Sequence, residues 1–200
     1  MRGHILIGLT LLLGIADSLA APAADEKEVN DLYRRGLAGD RAAVVECIDR
    51  LEAVLKSDGG NELARVYLGS AYTLRSRDLG FGPKKLEALK HGIALMDEAV
   101  AGAPSDAKVR LARALTAQSL PFFSGRAASS RKDFQMLADA AQRSPGKFKE
   151  GELQVIFYNA GLAAKVDGDH AGAAALFREG LKHGADTALS VKLHAELGGR

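Results

Sequence analysis

At 200 residues with a formal net charge of +2, the chain is long enough for a hydrophobic core and too nearly neutral to demand nucleic acid as a partner. Hydrophobic residues make up 47% and charged residues 26%, a balance that excludes a disordered chain. The single cysteine excludes an intrachain disulfide. Abundant Ala and Leu, no Trp and few clustered β-branched residues favour helices over strands.

Residues 1–20 read as an export signal. Arg2 supplies the positive start, Ile5 to Ile15 is an apolar run broken by Gly8, Thr10 and Gly14, and Ser18 and Ala20 are the small residues a signal peptidase reads. Retention as a membrane anchor is the competing reading. The run, however, is shorter than the roughly 20 residues a span needs, and Asp17 closes it. Cleavage is expected after Ala20, leaving a periplasmic or secreted protein without stable membrane insertion. No Cys lies at the cleavage site to carry a lipid.

Residues 21–27 are small and charged and are expected to form a flexible arm before one helical domain over 28–200. The first helix is expected from Glu28 to Ala38, burying Val29, Leu32, Tyr33, Gly36 and Leu37 at the spacing of one helix face. Gly39-Asp40 stops it and caps a second helix over Arg41–Lys56, with Val44, Ile48, Leu51 and Leu55 inward. Cys47 shares that apolar face and reads as an inert buried thiol. Asn61 caps a third helix containing Leu68-Gly69-Ser70-Ala71-Tyr72, whose partner carries Gly92, Met96, Ala99 and Pro104. Between them, Asp78 to Lys85 forms a long turn in which Pro83 can start the next helix. A third pair is expected over Ser105–Ser119 and Ser130–Gln142, the latter burying Phe134, Leu137 and Ala140, with a second long turn over Leu120–Arg126. The fourth hairpin breaks at Gly168-Asp169, and Asp186 caps a last helix ending at Gly198-Gly199. About nine helices and no alternating segment give an all-α fold.

The chain carries no pattern for chemistry. His91, His170, His183 and His194 include no pair at metal-binding helical spacing, and Asp167-Gly168-Asp169 lacks the remaining ligands of a calcium loop. No G-x-S-x-G elbow and no phosphate-binding glycine loop occur. S-x-x-K appears at Ser105, Ser129 and Ser144 without its companion motifs, and helix-capping serines are the expected explanation. No cofactor, metal or enzymatic activity is expected.

The middle of the chain stands out. Between Arg75 and Lys132 lie eleven basic residues and five acidic ones. The two long turns sit here, with Phe81, Lys84 and Lys85 in one and Phe122, Phe123 and Arg126 in the other. Aromatic side chains and cations are what binding surfaces enrich. The alternative is that the three Phe fold back as a plug over an apolar end.

The segment Phe157 to Leu181 places Ala160-Gly161, Ala164, Ala173 and Phe177 at the positions of the repeat pattern W-x2-L-G-x2-Y…A-x3-F, and Leu68 to Tyr72 matches its L-G-x2-Y part. The chain therefore resembles tetratricopeptide-repeat-like proteins. Apart from that spacing, it also looks like exported bacterial members of the superfamily without an assigned enzymatic activity. The resemblance implies a right-handed solenoid of about four antiparallel hairpins, closed by a C-terminal capping helix, that binds a protein or peptide on a concave groove. By position, Val66, Ser70 and Thr73 of one repeat and Tyr158, Leu162 and Lys165 of another would line that groove. The expected function is an exported adaptor or scaffold using the groove and the Phe-rich basic end. The alternative is a carrier of a small apolar or anionic ligand in a pocket closed by the long turns.

Overall fold

The computed structural model describes residues 23–184 and 187–198; the expected cleavage after Ala20 and the expected cap at Asp186 lie outside the described residues. Among the described residues the fold is all-α, with nine α-helices and no strand. They are α1 (Ala23–Leu37), α2 (Arg41–Ser57), α3 (Glu62–Asp78), α4 (Pro83–Gly102), α5 (Ala107–Ser119), α6 (Ala127–Arg143), α7 (Glu150–Val166), α8 (His170–Leu181) and α9 (Thr187–Gly198). Short 3-10 turns at Phe122–Ser124 and Pro145–Lys147 flank α6.

Local chemistry places the helix ends. The Asp40 carboxylate accepts from the backbone N–H groups of Ala42 and Ala43, both at 3.1 Å, and starts α2. The Ala43 N–H first, then the Arg35 guanidinium and last the Ala42 N–H hold the Asp40 carboxyl below the usual carboxylate range. Asn61 accepts from Ala64 N–H at 3.0 Å to start α3, and Asp169 accepts from Gly172 N–H at 2.8 Å to start α8. Pro83 opens α4, where its missing N–H is no loss. Gly168, at φ +85°, makes the left-handed turn between α7 and α8. Helix α1 begins at Ala23, inside the stretch expected as a flexible arm; Ala, Glu and Lys are strong helix formers and carry the helix back to that point.

The chain divides into two compact units, one running to Thr116 and the other from Ala117. In the first, α1 packs on α2, α2 on α3 and α3 on α4, and α1 also reaches α3. The α3–α4 crossing is the tightest. A Cβ on Gly69 would lie 2.6 Å from the Gly92 carbonyl oxygen, and one on Gly92 would lie 2.5 Å from the Gly69 carbonyl oxygen. The two backbones therefore touch without side chains between them. Around this crossing Val66, Met96 and Ala99 are wholly enclosed, and each large apolar side chain so buried contributes about 1.5–3 kcal/mol.

In the second unit α6 packs on α7, α7 on α8 and α8 on α9. The core is Phe134, Leu137, Leu153, Ile156, Phe157, Phe177 and Leu193. The Phe177 ring packs against Gly161, where any Cβ would collide with it, and Gly180 gives the same clearance to Leu193 at 3.2 Å. Ala141 is the buried position at the end of α6, whereas Ala140, expected inward, is half-buried.

Candidate functional site

Among the described residues the two long turns carry the three most exposed large apolar side chains. In the first unit α3 ends as Leu79 N–H donates to the Arg75 carbonyl at 3.0 Å, and Gly80, Phe81 and Gly82 lead to Pro83. Gly82 sits at φ +150°, a conformation L side chains rarely adopt. The Ser76 hydroxyl donates to the Lys85 carbonyl at 2.9 Å and ties the start of α4 back to α3. The Phe81 ring projects from this braced turn with a relative exposure of 106%. Lys84 and Leu86 beside it are exposed and Lys85 is half-buried. Arg77 is engaged elsewhere, donating to the Gly36 carbonyl at 2.8 Å and to Asp78 at 2.8 Å.

In the second unit the turn after α5 is a single 3-10 turn. Ser124 N–H donates to the Pro121 carbonyl at 2.9 Å and Gly125 N–H to the Phe122 carbonyl at 3.2 Å, with Gly125 left-handed at φ +69°. Phe122 is 96% exposed and Phe123 73%. Arg126 is half-buried at the head of α6, Lys132 is exposed, and Asp133, next in the chain, is buried. From Ala117 to Lys132 the chain contains no acidic residue. None of the three Phe plugs an apolar end; each ring stands in solvent.

The expected groove residues divide differently. Val66, Ser70 and Thr73 are core positions. The Ser70 hydroxyl is bound by Tyr33 Oη at 2.5 Å and by Thr116 Oγ1 at 2.8 Å, and Thr73 Oγ1 donates to the Ser70 carbonyl at 2.7 Å. Both faces of α3 are covered by other helices, so these side chains are turned to its neighbours, not to a partner. Tyr158 is also buried, its ring centroid 6.2 Å from that of Phe177. Leu162 is half-buried, and Lys165 is exposed and paired to Glu196 at 2.8 Å.

The hydroxyl chain Tyr33–Ser70–Thr116 was not legible in the sequence. Burial raises the Tyr33 phenol well above its ordinary range, with its hydrogen bond to Ser70 opposing. Burial likewise pushes the Cys47 thiol up to about 12, in keeping with an inert residue. The Tyr72 phenol, pushed up to about 12 by burial and then by Glu52, donates to that carboxylate at 2.7 Å.

The histidines are dispersed. His91 stands edge-on to Tyr72 at 4.5 Å, and His183 stacks on Phe157 and bonds Glu150 at 2.8 Å. Among the described residues no group of His, Cys, Asp or Glu could hold a metal ion, and no helix is long and apolar enough to cross a membrane. The S-x-x-K serines are not the caps expected of them. Asp106 caps α5, accepting from Lys108 N–H at 2.8 Å, and Ser129 lies inside α6 with its hydroxyl on the Arg126 carbonyl at 2.8 Å. Ser144 precedes the Pro145–Lys147 turn without a side-chain capping bond.

Open clefts on the surface of the described residues include the following two. One, of about 400 Å³ beside α1 and α2, is lined by charged residues including Glu28, Asp31, Arg35 and Glu46. The other, of about 330 Å³, lies at α7, α8 and α9 with Phe177 in its floor. Comparison of the chain with family models, with curated proteins and with solved structures finds no match.

Proposed function

We propose that the protein is an exported adaptor without catalytic activity that binds a protein or peptide partner through its two Phe-bearing turns. The observation that carries this reading is the exposure of Phe81, Phe122 and Phe123 on short, hydrogen-bonded turns. Three bare aromatic rings in water forgo the burial that each could otherwise gain, and a braced turn loses little conformational freedom when it docks. Cations beside them, Lys84 and Lys85 in one turn and Arg126 in the other, favour a partner with acidic residues around an apolar segment.

The repeat architecture belongs to the same proposal: a right-handed solenoid of tetratricopeptide-like hairpins with α9 as its cap. Its support is the placement of small residues where paired helices meet, Gly69 with Gly92 and Gly161 with Phe177. With Val66, Ser70, Thr73 and Tyr158 enclosed, Leu162 and Lys165 are the groove positions left to a partner. The test is native mass spectrometry of the mature protein gently purified from its own compartment, repeated with Phe122, Phe123, Lys84 and Lys85 all replaced by Ala. A second polypeptide that the variant loses, at unchanged helical content, supports the adaptor. Retention of that polypeptide by the variant overturns the assignment to the turns.

A further inference from the structure

Helix α8 presents His170, Ala174 and Arg178 along one side at successive intervals of four residues, a span of about 12 Å. Between the two basic ends the helix offers only small residues, Ala173 and Ala174, with the buried Phe177 ring beneath. Across the cleft stand Lys165 from the end of α7 and Glu196 from α9. The result is a recess of about 330 Å³ with an apolar floor and a basic rim, at the small end of the range for ligand sites. Glu196 is the one acid on the rim. It is held by Lys165 at 2.8 Å, with the Lys165 side chain 51% and the Glu196 side chain 24% exposed. A surface pair of this kind is weak and is readily exchanged for another anion.

We infer that this cleft binds a small organic anion, a carboxylate or phosphate head on a short apolar body. The body lies over Ala173, Ala174 and Phe177. The head is taken by Arg178 and by Lys165, where it competes with Glu196. The alanines are necessary because a larger side chain at position 174 would fill the recess, and the head is necessary because an apolar body alone gains little from so open a floor. The site lies wholly within the second unit and uses neither Phe-bearing turn; of the positions assigned above to a protein partner it shares Lys165 alone, so loss of the Phe-dependent partner would leave it standing.

Isothermal titration of the mature full-length chain with octanoate and octyl phosphate tests the inference, with 1-octanol and inorganic phosphate as half-ligands. Saturable binding of at least one amphiphilic anion is expected, with both half-ligands at least tenfold weaker; the tighter of the two anions identifies the head. Arg178→Gln should weaken binding about fivefold, the scale of one exposed ion pair. Glu196→Gln should tighten it by a similar factor because the competing carboxylate is gone, and Ala174→Leu should abolish it. Circular dichroism of each variant guards against misfolding, and the two rim substitutions lie at partly or fully exposed positions. Absence of saturable binding by either anion, or indifference to Arg178→Gln, or weaker binding in Glu196→Gln, overturns the inference.

Discussion

Replacing Gly69 by Ala adds one methyl group at the place where α3 and α4 touch backbone to backbone. The new Cβ would lie 2.6 Å from the Gly92 carbonyl oxygen and 3.0 Å from the Met96 nitrogen, so the helices must separate or bend. Overpacking of this kind costs about 1–3 kcal/mol, here toward the upper end because the obstacle is main chain. Against it, Ala is favoured over Gly inside a helix by about 1 kcal/mol. The net expectation is a loss of about 2 kcal/mol, which lowers the urea midpoint by roughly 1 M. Unfolding is followed by far-UV circular dichroism together with tyrosine fluorescence, since Tyr33, Tyr67 and Tyr72 report from the first unit. Gly92→Ala strains the same gap, so the double variant should be less destabilised than the sum of the two singles by about 1 kcal/mol. If Gly69→Ala is neutral or stabilising, helix propensity alone acts at that position and the close crossing is refuted.

The pH dependence of stability should carry the mark of the buried phenol and thiol. Tyrosine in the unfolded chain ionises near pH 10, whereas folded Tyr33 keeps its proton to higher pH. The unfolded state therefore loses protons first, and stability present below about pH 10 falls as pH rises; urea midpoints at pH 8 and 10.5 should differ more in the native chain than in Tyr33→Phe. Cys47 should resist a soluble thiol reagent in the folded protein and react at once in denaturant, and appreciable labelling of the folded chain at pH 8 would contradict its burial. Asn61→Ala removes the acceptor of the Ala64 N–H and should cost about 1 kcal/mol in thermal or urea unfolding, with Asn61→Asp restoring most of it.

Much of this architecture could be read from local signals. Asp40, Asn61, Pro83 and Gly168-Asp169 mark helix boundaries through chemistry that acts within a few residues, and they are found where that chemistry places them. The three-and-four spacing of Val29, Leu32 and Tyr33 and of Val44, Ile48 and Leu51 likewise gave the inner faces of α1 and α2. Polar residues defeated the same reasoning. Ser70 and Thr116 are polar by composition and buried in fact, because Tyr33 satisfies the chain of hydroxyls they form, and that partnership spans distant segments. Asp106, not Ser105, caps α5 because the Asp carboxylate reaches two backbone donors, Lys108 and Val109. For the exposed aromatic turns, residue type suggested a surface role, but only the structure separates rings in solvent from rings folded over a core. The cleft between Lys165, Arg178 and Glu196 needs α9 beside α8, which no local pattern encodes.

Docking of a partner on the exposed aromatic turns can be trapped with a photoreactive phenylalanine analogue. Placed at position 123 in the chain expressed in its own compartment, it is compared with the same analogue at exposed Val191, which lies on a helix remote in sequence from either turn. A discrete adduct with one polypeptide from position 123, weakened when Arg126 and Lys132 are replaced by Ala and not formed from position 191, is the expected result. The same adduct pattern from both positions, or none from position 123 while the protein is present and helical, would contradict the account.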